Sequence, residues 1–189
     1  MNNWRDVDIK YVLRSNSENY FAFVGLQQDG TLWSWGTNFN GELGLGLATG
    51  NYNVISTPSQ IGTHNDWKAL IANNLQHGTT LALKENGELW GWGKNPNGEL
   101  GQNNNSIYAS PVHIAPDQTW KKVWYERGTV FAINNNDELW SWGNNTNSRL
   151  GHYYSRLTPN KINNDVDWHK VVATRSTILA SKQDGSLWA

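Results

Sequence analysis

Five histidines, His64, His77, His113, His152 and His169, are the residues best suited to acid–base or metal chemistry. They fall at unrelated phases of the chain and show no metal-ligand spacing, so they read as surface or loop residues. Two carboxylate pairs, Asp6/Asp8 and Asp165/Asp167, could offer oxygens to a calcium ion. Each sits beside a tryptophan that opens a repeated segment, and solvated turn carboxylates are the plainer reading. The stretch Gly41-Glu42-Leu43-Gly44-Leu45-Gly46 is glycine-rich, but its glycines recur elsewhere in register, unlike a phosphate loop. No Gly-x-Ser-x-Gly, Walker A or His-Glu-x-x-His sequence occurs. Cysteine is absent, which removes thiol nucleophiles, disulfides and thiolate metal sites. The sequons at Asn104 and Asn144 matter only in a secretory setting. The expectation is a non-enzyme with no cofactor and no metal.

Binding chemistry is better represented. Three segments of variable length, 45–57, 102–110 and 152–158, carry Tyr52, Tyr108, Tyr153, Tyr154 and Arg156. A second variable spot holds Trp124, Tyr125, Glu126 and Arg127. Tyrosine, tryptophan and arginine are enriched where proteins grip one another. The candidate partner-binding set is therefore Tyr52, Tyr108, Trp124, Tyr125, Arg127, Tyr153, Tyr154 and Arg156. It forms one surface only if these loops share a rim.

The elements that must position them come from an internal repeat. Leu32-Trp33-Ser34-Trp35-Gly36 recurs as Leu89-Trp90-Gly91-Trp92-Gly93 and Leu139-Trp140-Ser141-Trp142-Gly143, and a fourth copy begins at Leu187-Trp188. The period is about 50 residues, that of a propeller blade. Each Trp-Gly is followed by an asparagine (Asn38, Asn95, Asn145) and a Leu-Gly pair (Leu43-Gly44, Leu100-Gly101, Leu150-Gly151). A glycine at Gly41 and Gly98 becomes Ser148 in the third copy. A Pro-x-x-Ile unit comes next, at Pro58–Ile61, Pro111–Ile114 and Pro159–Ile162. Trp4, Trp67, Trp120 and Trp168 open the copies, with Val7, Leu70, Val123 and Val171 three residues on.

Before each Leu-Trp stands a turn pair: Asp29-Gly30, Asn86-Gly87, Asn136-Asp137 or Asp184-Gly185. Three of these are dipeptides of two-residue hairpins, and Asn136-Asp137 is the weakest of the set. The flanking segments are rich in aromatic and β-branched residues and read as strands. A small residue, Gly25, Ala82, Ala132 or Ala180, recurs in every hairpin, as crowded inner strands would require. The paired tryptophans of Trp-x-Trp are two apart and share one face of their strand. Helical periodicity is missing throughout.

The pattern that runs from Trp67 through Gly101 to Ile114 resembles the regulator of chromosome condensation (RCC1-like) repeat, and the likeness extends from Trp4 to Trp188. The resemblance implies an all-β propeller of four-stranded antiparallel blades, with seven blades in well-known members. Seven copies need roughly 350 residues, whereas this chain has 189. Residues 1–189 therefore read as a single partial β-propeller of about three and a half repeats, 4–62, 67–116, 120–163 and an incomplete 168–189. A piece of a longer protein is one explanation of that count. Self-association of two half-arrays into one ring is the other.

A net charge of −1 gives no electrostatic footprint for nucleic acid or an anionic membrane. The start Met1-Asn2-Asn3-Trp4-Arg5-Asp6 lacks a secretory signal, so a cytoplasmic location is expected. The expected function is a non-catalytic protein–protein interaction scaffold that binds through variable loops on one rim. The resemblance also implies two alternatives: regulation of nucleotide exchange on a small GTPase, and propeller-type inhibition of a secreted enzyme. Neither carries a residue over to this chain.

Overall fold

Alternating apolar residues between regularly spaced turns produce sheets here, because each strand can bury one side chain in two against a neighbour. The computed structural model describes residues 3–13, 19–50, 54–71, 78–151, 155–173 and 178–189. Blade 1 is the antiparallel meander β1 (Trp4–Leu13), β2 (Asn19–Gln27), β3 (Leu32–Thr37) and β4 (Val54–Gln60). Blade 2 is β5 (Trp67–Ile71), β6 (Thr79–Lys84), β7 (Leu89–Gly93) and β8 (Tyr108–Ile114). Blade 3 is β9 (Trp120–Glu126), β10 (Thr129–Asn134), β11 (Leu139–Gly143) and β12 (Arg156–Lys161). Blade 4 has three strands, β13 (Trp168–Ala173), β14 (Ile178–Lys182) and β15 (Leu187–Trp188). Among the described residues the only helical turn is the 3-10 segment Thr146–Ser148.

The first strands of successive blades touch one another, β1 against β5 and β5 against β9, so these strands line the axis about which the blades fan. The repeated small residue belongs to the second strand instead. A Cβ on Gly25 would lie 2.5 Å from the indole of Trp4, so smallness there makes room for the blade's own opening tryptophan, not for convergence at the axis.

The turns differ from the expected two-residue hairpins. In each copy two hydrogen bonds close a three-residue loop, as in Gly87 N–H to the Lys84 carbonyl and Lys84 N–H to the Glu88 carbonyl. This is a type I turn followed by one left-handed residue. Only that residue needs positive φ, and it is Gly30, Gly87, Gly185 or Asp137, the last at φ 60°. The preceding Asp29, Asn86 or Asp184 uses its side chain to accept the N–H of Thr31, Glu88 or Ser186. That accounts for the Asx-Gly pairs without a two-residue loop.

The core consists of three layers between blades. Val24, Leu26, Leu32 and Ile61 of blade 1 meet Trp67, Leu70, Ala82 and Trp92 of blade 2. Leu81, Leu83, Leu89, Leu100 and Ile114 of blade 2 meet Trp120, Val130, Ala132 and Trp142 of blade 3. Phe131, Ile133, Leu139 and Leu150 of blade 3 meet Trp168, Val171 and Ala180 of blade 4. Blades 2, 3 and 4 thus turn their opening tryptophans toward the preceding blade, which meets them with mainly aliphatic residues, Phe131 of blade 3 being the aromatic exception among the buried ones. The corresponding face of blade 1 is open, with Val7 44 % and Phe21 41 % exposed, and so is the opposite face of blade 4, with Val172 48 % and Leu187 69 % exposed.

The second tryptophan of each motif is the pin between blades. Trp92 and Trp142 are fully buried, and their Nε1–H groups donate to the main-chain carbonyls of Glu42 (2.9 Å) and Glu99 (2.7 Å) in the preceding blade. Those carbonyls are held in place by the Asn-to-Leu-Gly loop. The side chains of Asn38, Asn95 and Asn145 accept the N–H of Leu43, Leu100 and Leu150, which fixes the loop's curvature. The glycine position of that loop is left-handed in all three copies, and Ser148 (φ 57°) occupies it at a cost that Gly41 and Gly98 avoid. Trp142→Phe should lower stability by about 1–3 kcal/mol, since the Glu99 carbonyl loses its donor in a dry layer. Chemical denaturation of both proteins measures it.

Glu42 and Glu99 are buried where this loop meets the next blade. Each carboxylate accepts the N–H and Nδ2–H of the asparagine two residues earlier, Asn40 or Asn97. Burial outweighs these bonds and pushes both carboxyls above their ordinary 4.5. A carboxyl with a raised folded-state value binds its proton more tightly when folded. Its contribution is therefore complete below about pH 4.5 and lost as pH climbs through the folded-state value. The double variant Glu42→Gln/Glu99→Gln should flatten that decline in denaturation midpoints measured across the acid range. An unchanged slope would refute this origin for it.

Candidate functional site

Antiparallel meanders send every second connection to the same end of a blade. The hairpins joining first to second strands and the connections joining third to fourth strands therefore share one rim. Among the described residues, 45–50, 102–107 and 155 and the turn Glu126–Gly128 lie at that rim. Tyr52, Tyr153 and Tyr154 lie outside the described residues, as do His77 and His152.

Tyr108 and Arg156 occupy the same repeat position, the first residue of a fourth strand, paired with Gly93 and Gly143. Both are half-buried. The Tyr108 hydroxyl accepts the Nδ2–H of Asn104 at 2.9 Å, which ties the ring to its own variable loop. The loop of each blade also leans on the fourth strand of the next. Gly46 N–H donates to the Ala109 carbonyl, and Asn103 N–H to the Leu157 carbonyl. The rim is thus a continuous course of loop, Tyr108, loop and Arg156, fixed by main-chain bonds.

Arg127 forms the tip of the turn between β9 and β10, with φ 50° and its Nε 3.3 Å from Glu126 Oε1. A row of paired residues, Glu126, Thr129, Gly143 and Arg156, runs across blade 3 at this rim, so Arg127 and Arg156 flank the same edge. Thr129 locks the row by donating its hydroxyl to the Asn144 carbonyl at 2.7 Å.

Two candidates are placed elsewhere. Tyr125 is 4 % exposed and packs in the layer between blades 2 and 3, so it is a core residue. It pairs with Val130, and strand alternation turns it inward where sequence variability suggested a surface. Trp124 packs against the layer between blades 3 and 4 and reaches the groove among the first strands. It lines this groove, of about 410 Å³, with Ile71, Val123, Glu126, Lys170 and Val172, all from first strands. Ile71, Lys170 and Val172 escaped the sequence reasoning because nothing in the repeat marks which strand faces the axis.

The groups able to do chemistry are engaged in structure. His113 stacks on Trp90 with centroids 4.8 Å apart and planes 4° apart. His64 Nδ1 lies 3.2 Å from Lys84 Nζ, and His169 is exposed. Asp165 and Asp167 share Lys182, whose Nζ stands 2.9 and 3.2 Å from their oxygens, so an ammonium fills the place a cation would take. Hydrogen bonds from Lys182 to these carboxylates hold its own ammonium above the usual lysine value. Among the described residues no three histidine, aspartate or glutamate side chains gather as metal ligands.

Comparison with known proteins agrees with this architecture. Residues 77–99 match the model of the regulator of chromosome condensation (RCC1) repeat. The chain is 34 % identical over 94 residues to the RCC1 domain-containing protein RUG3, mitochondrial, of Arabidopsis thaliana, covering 50 % of this chain and 20 % of that protein. It is 36 % identical over 87 residues to the protein RCC2 homolog of Danio rerio, covering 46 % and 17 % respectively. A crystal structure of yeast RCC1 (Prp20) bound to Kap60 superposes with a TM-score of 0.72 at 19 % identity, over 97 % of this chain and 42 % of that one. Human WBSCR16 superposes with a TM-score of 0.64 at 17 % identity, over 88 % and 44 %. The matches thus span less than half the length of each of these proteins. Blade order, turn chemistry, the inter-blade tryptophan pins and these likenesses together make the chain an arc of RCC1-like repeat propeller blades.

Proposed function

We propose that this chain is a non-catalytic protein-interaction scaffold that grips its partner along the loop rim. The observation that carries the reading is the rim itself. Main-chain bonds between blades hold variable loops, Tyr108, Arg127 and Arg156 on one edge, while the repeated residues are spent on packing. Pre-organised tyrosine and arginine side chains bind with little ordering cost. Solved relatives support protein partners as a class: Prp20 of yeast was crystallised with Kap60 and studied for binding to Gsp1p and histones. Regulation of a GTPase is the second reading, favoured by the Gsp1p binding of Prp20p.

The first partners to offer are a Gsp1p-type GTPase, histones and Kap60. The triple variant Tyr108→Ala/Arg127→Ala/Arg156→Ala should weaken capture of a bound partner at least tenfold while shifting stability by no more than about 1 kcal/mol. Trp124→Ala on the axis side should leave capture intact. The reverse pattern, with the triple variant still binding and Trp124→Ala defective, would move the site to the groove. Accelerated release of a fluorescent nucleotide from the GTPase would favour the second reading over a plain scaffold.

A further inference from the structure

The connection from each fourth strand to the next blade runs at the rim opposite the variable loops. There it meets an edge-to-face pair of tryptophans, Trp67 and Trp90 in blade 2 and Trp120 and Trp140 in blade 3. In blade 2 the pair holds an ammonium. Lys84 Nζ stands 5.4 and 5.2 Å from the two ring centres, 3.3 Å from Asp66, 3.6 Å from Glu88 and 3.2 Å from His64 Nδ1. Blade 4 repeats the arrangement, with Lys182 Nζ 5.3 Å from the Trp168 ring and paired with Asp165 and Asp167. Blade 3 keeps the rings and a carboxylate but lacks the lysine. Asn134 takes the place of Lys84 and Lys182, and Asp117 that of His64 and Asp165. Both are shorter than the residues of blade 2, and beside them lies a pocket of about 340 Å³. Gln102, His113, Asp117, Gln118, Trp140 and Thr158 wall it.

The polar groups around Asn134 are matched within the blade: its Nδ2 donates to Gln118 at 3.0 Å and Glu138 at 2.7 Å, and Lys161 neutralises Glu138. Asp117 is not matched. Gln118 Nε2 donates to it at 3.4 Å, and among the described residues no ammonium or guanidinium pairs with it. In the same wall His113 Nε2 is buried without a hydrogen-bond partner. Gln102 Nε2 donates to the Leu100 and His113 carbonyls, which leaves the side-chain oxygen to accept. We propose that this pocket is a seat for the ammonium of a lysine supplied by a partner protein, in the place that Lys84 fills for blade 2. An ammonium brings three donors, for the Asp117 carboxylate, the Gln102 oxygen and His113 Nε2, and an indole beside it adds attraction. The seat extends the interaction-scaffold reading to a second contact. Its test uses no capture through the loop rim, so either can fail alone.

The isotope-labelled chain would be titrated with acetyl-Gly-Lys-Gly-amide while heteronuclear NMR follows the side-chain amides of Gln102 and Gln118 and the indole N–H of Trp140. The expected result is a set of saturable shifts at millimolar peptide. Acetyl-Gly-Gln-Gly-amide, the same backbone without the charge, should produce none. Asp117→Asn should weaken the lysine peptide about threefold, the effect of one exposed ion pair. Asn134→Lys supplies the missing ammonium from within the blade and should abolish the shifts in a protein whose thermal melt remains cooperative. Should that variant fail to fold, Asp117→Asn decides the matter, because its side chain is exposed. No shifts with the lysine peptide, equal shifts with the glutamine peptide, or undiminished binding by Asp117→Asn or by folded Asn134→Lys would overturn the proposal. Saturation by n-butylamine at lower concentration than the peptide would overturn a protein lysine as the occupant.

Discussion

The bond from an indole N–H to a carbonyl in the preceding blade is the constraint on which the rest depends. A tryptophan buried in a dry layer must place its one donor somewhere, and Trp92 and Trp142 place theirs on carbonyls of the preceding blade. The carbonyl supplied by the neighbour exists only because an asparagine side chain curls the intervening loop, and that loop needs a left-handed residue to turn. Packing, turn chemistry and hydrogen bonding are therefore one device spread over two blades. The main-chain N–H of each opening tryptophan repeats the arrangement at the opposite rim. Trp67 donates to the Gly30 carbonyl and Trp120 to the Gly87 carbonyl. Blades pinned at both ends have little freedom to slide, which is what a rigid display of loops requires.

Much of this was legible in the residues because the repeat states it several times. Three copies of Trp-x-Trp-Gly with Asn and Leu-Gly at fixed offsets identify blades, faces and the all-β class without coordinates. The features that escaped are those a repeat does not encode. The Asn-Gly pairs suggest a two-residue hairpin, yet the hydrogen bonds close one residue wider, since a type I turn needs a single left-handed residue and the Asx side chain stabilises it. Tyr125 looks variable and hence superficial, but a variable residue in a strand still obeys the alternation of its sheet. The glycine and alanines of the second strands were read as crowding at the axis. At Gly25 the crowding comes from Trp4 of the same blade, a contact invisible until the indole has a direction.

The rim and the axis groove offer different chemistry for different reasons. Loops at the rim are shaped by bonds to the following blade, and Tyr108 and Arg156 stand at corresponding places on their fourth strands. The groove collects residues from three first strands, and Ile71, Trp124 and Lys170 come together there although about 50 residues separate each from the next in the chain. A partner that read only the repeated rim could not tell one blade from another. Arg127 and Arg156, both in blade 3, give the rim a local cationic mark.

The carboxylates at Glu42 and Glu99 also mean that the blades are not interchangeable parts. A Cβ on Gly78 would come within 3.0 Å of a Glu42 oxygen, and one on Gly128 within 2.9 Å of a Glu99 oxygen, so each following blade is cut to fit its neighbour's acid. At the third junction the same position is Arg149. Shuffling the blades, or duplicating the third into the second place, would set a guanidinium against a notch shaped for a carboxylate. The first two joints share one fitting, a glutamate in a glycine notch, and the third is set apart from them by a single side chain.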